Sequence, residues 1–127
     1  MNVFLVALGG GAGAVGRYLL GLWIKDRMPQ KKIPTAMLFV NLTGSLGLGL
    51  FFGFIYNEVP ILAYNDPLFL LVGIGFFGAF TTFSTFSIET SALLQKKKWP
   101  EAALYTALTI GGSIAVFLTG MTLMTLF

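Results

Sequence analysis

A chain of 127 residues that is 56% hydrophobic and only 10% charged, with a mean hydropathy of +0.84, lies outside the range of soluble globular proteins and reads as one integral membrane domain, residues 1–127. Without cysteine or histidine it has no disulfide framework, thiolate chemistry, Cys/His metal site or histidine relay. Its formal net charge of +3 is not a nucleic-acid signal, because the basic residues gather in two short joins beside apolar runs, where they act as topology determinants.

Four apolar runs follow in order, about Val3 to Ile24, Thr35 to Tyr56, Pro67 to Leu94 and Ala102 to Phe127, and each predicts a membrane helix. The first run lacks a basic leader, so it is expected to remain in the mature chain rather than act as a cleavable signal. Gly11-Ala-Gly-Ala-Val-Gly16 matches the dinucleotide-binding glycine pattern and follows the strand-like Val3-Phe-Leu-Val-Ala7. That reading needs a βαβ unit and a later acidic residue, whereas this segment runs on into Leu19, Leu20, Leu22 and Trp23 and then a basic join. Close helix packing through Gly9 and Gly13, spaced four apart, is the better account. Arg17 lies inside the run, where a buried charge costs at least about 2.5 kcal/mol unless it snorkels or pairs.

The join Lys25 to Lys32 carries Pro29, and Pro34 closes it. In the second run, Asn41 is a carboxamide two turns in. Its amide can donate two hydrogen bonds to an anion or bond a neighbouring helix. Thr43 and Ser45 lie close by, and Gly49 and Gly53 repeat the four-residue glycine spacing. The second join, Asn57 to Asp66, is acidic.

The third run is the unusual one. It is longer than the roughly 20 helical residues that cross a bilayer, and Thr81, Thr82, Ser84, Thr85 and Ser87 interrupt it, with Phe80, Phe83 and Phe86 at a spacing of three. On one continuous helix those rings and hydroxyls share a surface. Gly78 and the pair Thr81-Thr82 mark the place where the helix is expected to break, and a mid-membrane break exposes carbonyls and N–H groups as ion ligands. Packing glue is the plainer use of the same residues. Lys96, Lys97 and Lys98 then form the third join, Glu89 lies seven residues before Lys96 at a depth like that of Arg17, with which it could pair, and Thr109 and Ser113 extend the hydroxyl pattern into the fourth run.

These residues resemble a known family. Gly10-x-x-Gly-x-x-Gly-Arg-Tyr18 in the first run, Val40-Asn-Leu-x-Gly44 in the second, and Gly78-x-x-Thr-Thr-Phe-Ser-Thr-Phe86 with Glu89 in the third look like the Fluc fluoride channels, over the whole chain and in order. The resemblance implies an all-α membrane protein of four helices, the third broken near its middle, assembled as an antiparallel dimer with two fluoride pores and one structural sodium ion at its centre. It implies that Asn41, Phe83, Phe86, Thr85 and Ser113 line the pore. Arg17 and Glu89 would stand at the vestibule, and the carbonyls of Gly78 and Thr81 would face the sodium. Ala79 departs from the pattern, in which a second glycine is expected.

The expected function is therefore passive, electrogenic fluoride efflux across the cell membrane by a multi-pass protein that is not an enzyme. A small dual-topology multidrug transporter is the alternative, but it needs a membrane carboxylate in the first helix, and none is present. A non-transporting packing subunit is a third reading. Both basic joins fall on one side, holding Lys25, Arg27, Lys31, Lys32 and Lys96 to Lys98, while the other side has neither Lys nor Arg. Such a bias fixes one orientation, with both termini outside. It points to an antiparallel heterodimer with a partner of opposite bias, with the homodimer as runner-up.

Overall fold

The computed structural model describes residues 2–27, 35–61 and 63–126. All four apolar runs are helical, and no strand occurs among the described residues. They form α1 (Val3–Arg27), α2 (Thr35–Ile55), a third span (Phe69–Gln95) and α5 (Trp99–Thr125). The third span divides into a π-helical segment (Phe69–Phe77), a single α-turn α3 (Gly78–Phe80) and α4 (Phe83–Gln95). Each of the four is long and apolar enough to cross a hydrocarbon core of about 30 Å. The glycine-rich stretch after Val3 is thus helix throughout. Lys31, Lys32, Pro29 and Pro34 lie outside the described residues.

Glycine sets which helices touch. A Cβ placed on Gly9 would fall 1.9 Å from the Leu71 carbonyl oxygen, and one on Gly13 2.1 Å from that of Phe76, so α1 and the π-helical segment meet backbone to backbone. Gly75 closes the same contact from the other side, 2.8 Å from the Val6 oxygen. Gly49 and Gly53 do likewise for α2 against Phe117 and Met121 of α5, at 2.2 and 2.5 Å. These are the two four-residue glycine spacings, and both serve close helix approach. The molecule is therefore two tight pairs, α1 with the first half of the third span and α2 with α5, joined where α4 packs onto α5. One apolar cluster, Ile24, Ala36, Val40 and Phe80, lies between α1, α2 and α3, and another, Leu38, Phe86, Leu93, Ala102 and Tyr105, between α2, α4 and α5.

Some hydroxyls inside the spans are satisfied locally. Thr119 and Thr122 donate to the carbonyls four residues earlier, at 2.7 Å each, which keeps polar groups paired in a medium without water. At the acidic end, Asp66 starts the third span by accepting from the Leu68 N–H at 3.0 Å, and Tyr56 donates its hydroxyl to the other carboxylate oxygen at 2.6 Å. At the basic end, Lys97 takes a left-handed φ of 59°, while Lys98 and Lys97 donate backbone N–H groups to Leu93 and Leu94. That arrangement is the usual helix stop, here built without glycine.

Candidate functional site

The break comes from the threonine pair. Gly78 is fully helical (φ −62°, ψ −38°), so the glycine is not where the chain departs from the helix. Thr81 (φ −81°, ψ 155°) and Thr82 (φ −144°, ψ 119°) are extended. Both are β-branched residues whose hydroxyls compete for backbone partners. Thr81 Oγ1 donates to the Phe77 carbonyl at 2.9 Å, and Thr82 Oγ1 caps α4 by accepting the Thr85 N–H at 3.2 Å. The cap satisfies one of the orphan donors that begin any helix.

The break separates the phenylalanines that one continuous helix would align. Phe80 turns into the α1–α2 cluster and stacks on Phe76, with ring centroids 5.6 Å apart. Phe83 and Phe86 follow the break together on α4, 5.6 Å from one another. Phe86 is buried and lies 5.4 Å from the Tyr105 ring, whereas Phe83 is 76% exposed on a single subunit. The expectation that all three rings share one surface is corrected accordingly: two do, because two extended residues reorient everything after them.

A cavity of about 630 Å³ opens between α2, α4 and α5. Asn41, Phe83, Phe86 and Ser113 line it, with Thr81, Thr82, Thr109 and Ser45 and an apolar remainder that includes Leu48, Ile110 and Phe117; among the described residues no acidic or basic side chain does. Asn41 is buried and uses half its capacity on the break: Nδ2 donates to the Thr82 carbonyl at 3.1 Å, and Oδ1 accepts the Thr82 N–H at 2.8 Å. One N–H of the two remains for any other acceptor. The Thr109 hydroxyl is buried without a hydrogen-bond partner, although buried polar atoms are normally paired. Thr85 stands beside the cavity instead of on its wall, with its hydroxyl accepting from Thr82 at 3.3 Å.

Arg17 and Glu89 also lie off the cavity wall. Glu89 accepts a hydrogen bond from the hydroxyl of the fully buried Tyr105 at 3.0 Å, and the Arg17 Nε is buried without a partner. Similar depth therefore does not bring these two charges together within the subunit, because Tyr105 supplies the carboxylate's partner. Tyr105 was missed by the sequence reading. Its signal was its position four residues before Thr109 and eight before Ser113, on one face of α5.

Gly78 and Thr81 bear on a cation site. In an uninterrupted helix their carbonyls would accept from the N–H groups of Thr82 and Thr85, but those donors go to Asn41 and to the Thr82 hydroxyl. Two carbonyl oxygens are thus released from helical donors next to the break, the donor type a hard cation prefers. Backbone oxygens of this kind suit the ion that the resemblance implies. Ala79 sits in the α-turn before the break, where a Cβ placed on Gly10 would lie 4.0 Å from its methyl group, so the alanine fits without crowding α1.

Comparison with known proteins gives a consistent answer. The sequence model of the family described as "CrcB-like protein, Camphor Resistance (CrcB)" matches residues 4–121. A protein of Halalkalibacterium halodurans named "Fluoride-specific ion channel FluC 1" is 52% identical over 120 residues, covering 94% of each chain. One of the same name from Carboxydothermus hydrogenoformans is 37% identical over 127 residues, covering 100% of this chain and 96% of the relative. A Shewanella protein named "Fluoride-specific ion channel FluC" is 41% identical over 117 residues, covering 92% of this chain and 89% of its own.

Proposed function

The chain belongs to the CrcB-like family, and from that premise we propose that it is a subunit of a fluoride-selective channel that lowers internal fluoride by passive, electrogenic efflux. The observation that carries the reading is the composition of the cavity wall, where an amide N–H, hydroxyls and phenyl rings converge with no ionisable group among them. Fluoride holds its water tightly, so a pore must replace that shell with donors of comparable reach but not bind so strongly that the ion stays. Asn41 offers one N–H, Thr109 an unpartnered hydroxyl, Ser113 a second hydroxyl one turn further, and Phe83 and Phe86 the positive edges of their rings. A ring of lysines would hold the anion too well. With no proton-cycling group on the wall, transport runs downhill, and an inside-negative potential drives an anion outward by about 2.3 kcal/mol per 100 mV.

A structural sodium ion, if bound, would be held by the carbonyls of Gly78 and Thr81 and their counterparts in a second subunit, neutralising the carbonyl dipoles that meet there. Antiparallel pairing would place two such breaks face to face and bring the exposed Phe83 ring against the partner. Arg17 would raise the local concentration of anions near the entrance. The charge bias of the joins supports a heterodimer with an oppositely biased subunit over a homodimer, because Lys25, Arg27 and Lys96 to Lys98 all favour one side.

Fluoride release from loaded liposomes, followed with a fluoride electrode, tests the reading. Selective release that speeds up when a potassium ionophore removes the opposing charge supports it. Proton-coupled uptake of a cationic drug instead would favour the multidrug alternative, and the absence of both fluxes a packing subunit.

A further inference from the structure

We propose that Asn41 is the positioning residue that keeps the third span broken, by pairing both backbone groups of Thr82 with its carboxamide. A carboxamide presents an acceptor and a donor side by side, which is what a facing residue presents to an extended residue in an antiparallel β pair. Thr82 is extended, and the two bonds, 2.8 Å from its N–H to Oδ1 and 3.1 Å from Nδ2 to its carbonyl, complete that pattern in the middle of a membrane. Whichever ion the chain passes, the same clip operates.

The local sequence prepares the break without completing it. Thr81 loosens the preceding turn by donating its hydroxyl to the Phe77 carbonyl, and Thr82 caps α4 with its own hydroxyl. Neither bond serves the Thr82 N–H, which inside a span has to find its acceptor in the protein or in the cavity that it borders. Its acceptor here is Asn41, and in a continuous helix it would be the Gly78 carbonyl. Asn41 is 6% exposed, next to the fully buried Val40. One turn on, α2 comes so close to the break that a Cβ on Gly44 would lie 2.5 Å from the Thr81 methyl and 2.9 Å from the Phe80 ring. Gly44 therefore brings the carboxamide within reach, and Asn41 holds the extended residue. Loss of the clip returns the Thr82 N–H to Gly78, restores helical donors to the carbonyls of Gly78 and Thr81, and swings Phe83 away from the cavity.

The test reads conformation apart from conduction. The chain is labelled with ¹³C and ¹⁵N threonine, placed in lipid nanodiscs, and the Thr82 Cα and Cβ shifts are compared in wild type, Asn41→Leu and Asn41→Asp. The expected result is extended shifts in wild type and in Asn41→Asp, whose carboxylate gives up the bond to the Thr82 carbonyl but still accepts the N–H, the bond that decides between break and helix, and a move to helical shifts in Asn41→Leu. Conduction is lost in both variants, so Asn41→Asp separates the clip from the pore. Extended Thr82 shifts in Asn41→Leu, or helical ones in Asn41→Asp, overturn the proposal. Should Asn41→Leu not insert, Gly44→Val pushes α2 away from the break and must produce the same helical shift; unchanged extended shifts there overturn it equally.

Discussion

Phe86 is buried, with the Phe83 ring 5.6 Å and the Tyr105 ring 5.4 Å from its own, while Phe83 lies on the open surface. Replacing Phe86 with Ile keeps the bulk and removes the positive edge. Losing a contact of about 1 kcal/mol should slow fluoride efflux roughly fivefold to tenfold, and undiminished rates in both Phe86→Ile and Phe83→Ile would remove ring-edge coordination from the account. Asn41→Asp should abolish measurable efflux, since a carboxylate opposes an anion where an amide donates. Efflux at the wild-type rate from that variant would take Asn41 out of the pathway. At this scale the sequence carries the identities well, because an amide, hydroxyls and recurring phenylalanines are unusual in an apolar run. It does not carry the pairing of Asn41 with Thr82, 41 residues apart, since nothing local to either residue names the other. The same holds for Glu89 and Tyr105, whose contact depends on how α4 docks on α5.

Helix against helix, the glycines decide. Gly13→Ala drives a methyl group to 2.1 Å from the Phe76 oxygen, where backbone has little room to yield, whereas a methyl group on Gly11 meets nothing within 4 Å of the subunit. Overpacking of this kind costs about 1–3 kcal/mol, so Gly13→Ala should lower the melting temperature in detergent and Gly11→Ala should leave subunit folding intact. Equal losses for both would contradict the backbone contact described between α1 and the π-helical segment. The cap at the acidic end makes a pH prediction. The Tyr56 hydrogen bond holds the Asp66 carboxyl below its ordinary value, and burial together with Asp66 pushes Tyr56 up to about 12. A depressed carboxylate contributes stability above its ordinary value of 3.8 that is lost as pH falls through the folded value; a raised phenol contributes stability below 10.0 that is lost as pH rises towards about 12. Tyr56→Phe should flatten the alkaline limb of a melting-temperature profile and weaken the acid limb, and an unchanged profile would show that the contact does not tie the second join to the third span. The spans themselves were legible, because length and apolar runs suffice in a membrane. The π-helical winding of Phe69–Phe77 was not: its apolar residues carry no period that tells π from α, and the close approach of Gly9, Gly13 and Gly75 is a tertiary matter.

For the whole molecule, the exposed Phe83, the released carbonyls of Gly78 and Thr81 and the open cavity are the features that the proposed antiparallel dimer would cover. The positive joins predict how that half inserts. A reporter fused to the C-terminus should signal only from outside the cell, and comparable signals from both sides would restore the dual-topology homodimer. Fold class and family were readable because the motifs run through the entire chain, while any partner subunit could be read only indirectly, from the charge bias of the joins. The account rests most directly on which ion carries current. The protein should be isolated from its host membranes as the complex it forms, fused into a planar bilayer, and clamped between unequal fluoride solutions. The account predicts a current whose reversal potential follows the fluoride gradient and stays put when chloride or pH is changed on one side; a reversal potential that follows chloride or protons, or no fluoride current at all, would contradict it.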